Sequence, residues 1–283
     1  MLLRMVAIAA AALVTLGLSA APDQKPPDLP AVKVLVQRAT DYVRAYQKDF
    51  AFLVADERYT QEVAIRGVED HQKRVTTGEM FLTFLEVDQE WVAVHDVAEV
   101  DGVPAAKTID VRAVLNQGSV RSVAREIIAS NARYNIGSVG RNINQPTFAL
   151  LVFSERHTRN FLFERGEIDR SQPGITLVTL KFREGGGASI VRTEDREPVY
   201  SRGEITIDAD TGRVARTRIQ FELGPIHAEQ SATYAAEDHI GLWVPTHYAE
   251  TYVLSYRGRR ETTTCEAVYT NYRRFVATGR IKK

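Results

Sequence analysis

The sequence predicts an α+β protein: a large curved antiparallel sheet, a half-barrel of about ten strands, with an N-terminal helix and mid-chain helices covering one face. Three observations predict it. Apolar residues between 32 and 53 recur at steps of three and four, whereas beyond 59 most apolar runs alternate with polar residues at period two. Short clusters of Gly, Pro, Asn and Asp punctuate those runs at hairpin spacing. The composition is globular, 44% apolar and 25% charged over 283 residues, so a core can form without metals or disulfides.

The chain opens with Arg4 as the single charge before Asp23, an apolar run from Val6 to Leu18, and the small residues Ser19, Ala20 and Ala21. This reads as a cleavable secretory signal peptide over 1–21, and so as an exported protein of the periplasm or extracellular space. The run of about thirteen residues is short of the ~20 that a membrane-crossing helix needs, and Pro22 with Asp23 ends it; a retained anchor is the alternative. Positions 22–30 read as a Pro-rich linker, 31–276 as a single α+β domain divisible into halves 31–157 and 158–276, and 277–283 as a basic tail. Basic and acidic residues balance at 36 each, and removal of Arg4 with the leader leaves a charge near minus one, which argues against nucleic acid as a partner. Cys265 stands alone and reads as a small buried hydrophobe.

Val32, Leu35, Val36, Ala39, Val43, Tyr46, Phe50 and Leu53 share one face of a predicted helix of about twenty residues, with Asp28 as its cap and Pro30 near its first turn. The period then changes. Tyr59, Gln61 and Val63 alternate, strands follow at 74–85 and 91–98, and Asp101-Gly102 marks a hairpin between Val97 and Val103. Val120, Val123, Ala124, Ile127 and Ile128 make one face of a mid-chain helix between a Ser119 cap and Asn131. An unusual loop mixing Gly, Asn and Arg spans 133–146, and Pro146 opens a short apolar helix over 148–153. The C-terminal half reads as strands at 159–167, 175–183, 202–208, 213–223, 226–236, 243–254 and 261–272.

The leading helix, Tyr59-Thr60-Gln61-Glu62-Val63 before a strand carrying Gly78, Gly203-Glu204-Ile205-Thr206-Ile207-Asp208 with Thr211-Gly212-Arg213-Val214, and Trp243-Val244-Pro245 form a recognisable order. In this the chain resembles the periplasmic lipoprotein-carrier (Lol-type) superfamily and its sensor and lipid-binding relatives. The resemblance implies a half-open antiparallel barrel lidded by helices, with an apolar cavity. The run 132–137 and the ending Asn271-Tyr272-Arg273-Arg274-Phe275 also look like an uncharacterised family of secreted bacterial proteins, which brings no function with it.

Catalytic signatures are weak. Asp210-Thr211-Gly212 spells the aspartic-protease triplet, but Ala209 precedes it and Arg213 follows, so it reads as a hairpin turn. A calcium loop counted from Asp208 reaches Ile219 where a bidentate Glu is required. None of the six histidines pairs at zinc spacing, and no phosphate loop, dinucleotide fingerprint or nucleophile elbow occurs, so neither metal nor cofactor is predicted. The candidate ligand-binding residues are Arg133, Tyr134 and Arg141 of the unusual loop with the aromatics Trp91, Phe148 and Trp243. Arg257, Arg259, Arg260, Arg273, Arg274, Lys282 and Lys283 read as a solvated rim, or as a peripheral docking surface for anionic lipid headgroups or a partner. The function read from these features is an exported non-enzymatic binding protein that carries or senses a lipid, acyl chain or lipoprotein in a cavity under the sheet. The alternative is a cell-envelope module that meets another protein through a sheet edge or the 133–146 loop, and a third reading is a hydrolase with scattered acids.

Overall fold

The computed structural model describes residues 29–275 apart from 50–51, 70, 87, 107–109, 117–119, 142–144, 188 and 194. The predicted signal peptide, the caps Asp28 and Ser119, most of the linker and the basic tail lie outside the described residues.

Helix α1 runs Val32–Asp49 and buries Leu35, Ala39, Val43 and Tyr46, one residue per turn along a single stripe. It is shorter than its apolar pattern predicts, because Leu53 already opens strand β1, Leu53–Ile65. Strands β2 (Gln72–Leu85), β3 (Glu90–Val100) and β4 (Val103–Pro104) follow. The interlude holds α2 (Val111–Asn116), which sequence reading missed, α3 (Val120–Asn131) and a 3-10 segment at Phe148–Phe153. Then come β5 (Phe161–Asp169), β6 (Leu177–Glu184), the short pair β7 (Val191–Arg192) and β8 (Pro198–Val199), and β9 (Ser201–Asp208). The chain closes with β10 (Val214–Leu223), β11 (Ile226–Glu237), β12 (Leu242–Tyr256) and β13 (Arg259–Arg274).

Eleven strands form one antiparallel sheet in the order β4-β3-β2-β1-β13-β12-β11-β10-β9-β6-β5, and it does not close. The first and last long strands, β1 and β13, pair near its middle, from Leu53↔Arg274 to Ile65↔Glu261. The two edges, β4 and β5, are consecutive in sequence, so the 105–160 interlude passes from one edge of the sheet to the other. Register shifts interrupt five strand pairs, and such bulges bend a sheet into a half-barrel. At one of them Gly78 is obligatory: a Cβ there would lie 2.1 Å from the Asp96 carbonyl oxygen. Gly212, at φ +74, is required twice over, by its turn and by α1, since a Cβ would meet the Arg38 backbone at 2.3 Å. The protease-like triplet is thus a turn, and Asp208 Oδ1 accepts from the Asp210 and Thr211 amides at 2.9 and 3.2 Å.

Period-two alternation sorts the sheet into two faces. The larger core unites α1 and the wholly buried Phe148–Phe153 segment with inward residues such as Leu53, Leu82, Leu180, Ile205 and Ile219. On the other side a smaller cluster joins Val54, Phe81, Val92 and Val94 to Val111 of α2 and Ile127 of α3. Arg112 of α2 reinforces it, reaching Glu79 at 2.6 Å with its guanidinium 5.3 Å from the Phe81 ring.

Candidate functional site

On β1 the inward positions run Leu53, Ala55, Glu57, Tyr59, Gln61, so an apolar stripe turns polar while staying buried. Its neighbours do likewise: Glu250 of β12 lies beside Cys265 of β13, which pairs with Gln61. Tyr59 donates its hydroxyl to Glu250 at 3.1 Å, and the Tyr252 hydroxyl donates to the other oxygen of the same carboxylate. Burial pushes the Glu250 carboxyl above its ordinary range, against the pull of the two hydroxyls and Arg141. The Cys265 thiol is pushed up to about 12 by burial and by Glu250, which disfavours the thiolate. On the other flank, His95 Nδ1 of β3 lies 2.7 Å from Glu57 Oε2.

Residues 133–141 close over this polar belt and are pinned to it. Arg141, 7% exposed, donates to Gln61 Oε1 and to the Ile136 carbonyl at 2.9 Å. Gln61 Nε2 in turn donates to the Tyr134 carbonyl at 3.1 Å, and Arg74 reaches the same oxygen at 3.3 Å. Buried Glu261 accepts from the Ser138 amide at 2.5 Å and the Ser138 hydroxyl at 2.7 Å. Gly137, at φ +84, lets the loop come this close, since a Cβ would meet Thr263 Oγ1 at 2.9 Å.

Between the loop and the sheet lies a cavity of about 60 Å³. Glu57, Tyr59 and Gln61 form its β1 wall, Ala93, His95 and Val97 its β3 wall, and Ile128, Asn131, Asn135 and Gln145 its cover. Helix α3 straddles the β3 edge here, with Ile127 in the outer cluster and Ile128 on the cavity.

Of the six residues singled out from sequence, Tyr134 and Arg141 line this cavity. Arg133 lies next to it, stacked 4.7 Å from the Tyr134 ring and donating to the Ala106 carbonyl at 2.8 Å. Trp91 is core, 5.0 Å from Phe84 and 5.9 Å from Tyr46, and touches the site only through its carbonyl, which accepts from Gln145 at 2.5 Å. Phe148 packs 6.0 Å from Phe221, and Trp243 bonds the Val214 carbonyl at 2.7 Å under Arg213; neither lines the cavity. Sequence reading missed Glu57, His95 and Asn131. A signal was present for Glu57, a charged residue in phase with Leu53, Ala55 and Tyr59. No group of three or more His, Cys, Asp or Glu side chains placed to hold a metal occurs among the described residues.

No family model and no curated protein matches the chain. Among solved structures it is similar to an outer membrane lipoprotein-sorting protein domain from Vibrio parahaemolyticus, with 11% identity and a TM-score of 0.36, covering 84% of this chain and 91% of that one. It is also similar to a DUF1329 family protein from Desulfovibrio piger, with 11% identity and a TM-score of 0.39, covering 88% and 95%. Lipovitellin aligns over 81% of this chain and 26% of its own, at 8% identity and a TM-score of 0.28.

Proposed function

We propose that the protein is an exported, non-enzymatic binding protein of the cell envelope whose ligand is a lipid or acyl chain, taken up on the inward face of the half-barrel. One observation carries this reading: the larger apolar surface of the sheet is covered by separate small pieces, chiefly α1 and Phe148–Phe153 with Val191 and Val199 of the short β7-β8 pair, and not by a second large sheet. Leu35, Ala39 and Val43 of α1 are 0% exposed, and the 148–153 side chains are all buried. An acyl chain satisfies such a surface equally well, because apolar burial is non-directional and contributes about 0.8 kcal/mol per CH2. Ligand pockets span roughly 300–1,000 Å³, so a lipid enters by displacing the cover and not by filling the cavity of about 60 Å³ at the polar end. No helix among the described residues is long and apolar enough to cross a membrane.

The test is native mass spectrometry with lipid extraction on protein purified from its own envelope. A stoichiometric lipid is expected. An empty protein that also takes up no fluorescent fatty acid overturns the reading. A second reading, a module that recognises an envelope protein, is favoured by the β5 edge, where Leu162 and Ile168 are exposed and one side of the strand is unpaired. Loss of partner capture on placing a proline in β5, with lipid binding intact, would select it.

A further inference from the structure

The geometry points to a second binding site, of opposite chemistry to the apolar face: the cavity between β1, β3 and the cover residues Ile128, Asn131, Asn135 and Gln145 takes a small primary ammonium group, seated on the Glu57 carboxylate. The inference uses only the polar end of the inward face and stands apart from the acyl-chain reading.

The argument is one of donors and acceptors. Three amide side chains cover the cavity, and each turns its nitrogen onto a main-chain carbonyl: Asn131 Nδ2 onto His95 at 2.6 Å, Asn135 Nδ2 onto Arg141 at 2.9 Å, and Gln145 Nε2 onto Trp91 at 2.5 Å. Their own side-chain oxygens accept from no donor among the described residues. Glu57 is 8% exposed, and while Oε2 is bonded to His95, Oε1 is buried with no partner among the described residues. Buried carboxylate oxygens are otherwise almost always satisfied, so Oε1 calls for a donor from outside the chain. An ammonium offers three N–H donors and no acceptor, which complements one carboxylate oxygen and the neighbouring amide oxygens.

The other charges at the site permit a cation. Arg141 lines the cavity, and its two terminal nitrogens are held by Gln61 and by the carbonyls of Ile136 and Val139, while Nε is buried with no hydrogen-bond partner among the described residues and the buried Glu250 lies in its field. The other titratable groups on the cavity are His95, whose Nδ1 is engaged by Glu57, and the phenols Tyr59 and Tyr134. The volume of about 60 Å³ admits a group of about four water-sized atoms and no more. Val97 and Ile128 make an apolar lip suited to the methylenes beside an ammonium. Such a group is supplied by a free small amine or by the ethanolamine headgroup of a phospholipid.

The test is an NMR titration of the full chain, labelled at Ala, Ile and Val methyls, with ethanolamine hydrochloride and separately with dihexanoyl phosphatidylethanolamine. Saturable shifts confined to Ala93, Val97 and Ile128 are expected, with Glu57→Gln binding about tenfold or more weakly, the loss of one charge-assisted bond. Binding of the free amine identifies it as a sufficient ligand, whereas saturation by the phospholipid alone assigns the site to a headgroup. Choline, which has no N–H, and ethylene glycol, which has no charge, should leave the signals unmoved. The proposal is overturned if neither amine gives a saturable shift, if choline binds equally well, or if a folded Glu57→Gln binds like the parent. Should Glu57→Gln fail to fold, Ile128→Trp blocks the cavity from α3 and must abolish the shifts.

Discussion

The inward face of the half-barrel has two regions that are equally buried and held by opposite forces. Under β6, β9 and β10, Val178, Leu180, Ile205 and Ile207 are 0% exposed and belong to one apolar cluster with α1 and the 148–153 segment, while Arg38 of α1 donates to the Ala209 carbonyl at the rim. Under β1, β12 and β13, Gln61, Glu250 and Glu261 are no more than 3% exposed, yet each carries a polar or charged group that must be satisfied. Dispersion and hydrophobic burial reward any apolar neighbour of suitable volume, so the first region can exchange one cover for another. Hydrogen bonds to buried polar and charged groups demand fixed partners, so the second region locks residues 134–141 in place. One end of the sheet is suited to taking up a chain, the other to holding a precise small cavity.

The sharpest way to break this contrast is Arg141→Ala, which removes the guanidinium bonds to Gln61 Oε1 and the Ile136 carbonyl and a positive charge from the field of buried Glu250. A loss of about 3–5 kcal/mol is expected in chemical denaturation, together with loss of hydrogen-exchange protection across 134–141. On the apolar side Leu180→Ala should cost about 2–5 kcal/mol, while Leu180→Met should cost less than about 1.5, because volume and not direction matters there. An equally size-matched Gln61→Met should be far more damaging than Leu180→Met, and comparable costs would refute the distinction.

Glu250 gives the contrast a pH signature. Burial raises its folded carboxyl above the ordinary 4.5, so the folded state binds the extra proton. Its contribution to stability is fully present below that ordinary value and is lost as pH rises through the folded one, at up to about 1.4 kcal/mol per pH unit. Urea midpoints across this window should fall with rising pH in the parent and flatten in Glu250→Gln. The smallest effect belongs to the solvent face: Arg218→Ala breaks a 2.8 Å bond to Glu229 between exposed groups and should change stability by less than about 1 kcal/mol.

Much of the sheet was legible because its signals are local. Residues 226–236 and 213–223 were expected as strands from alternation and turn chemistry, and the structure has Ile226–Glu237 and Val214–Leu223. Leu53 was misplaced into the helix because it falls in phase with both α1 and β1, and periodicity alone cannot divide two elements that bury the same face. The loop carrying Tyr134 and Arg141 was visible as an irregular stretch rich in Gly, Asn and Arg. His95 was not visible, since nothing near it in sequence hints at a carboxylate 38 residues away.

The sequence by itself determined which residues form strands, which helix is amphipathic and where the turns fall, because each depends on side chains within a few positions of one another. Only the tertiary structure decided that β1 lies against β13, that Gln61 and Arg141 meet across 80 residues, and that Glu57 is buried with one oxygen unpaired. Those outcomes depend on register between strands distant in the chain, and a shift of one residue would turn every one of these side chains to the other face.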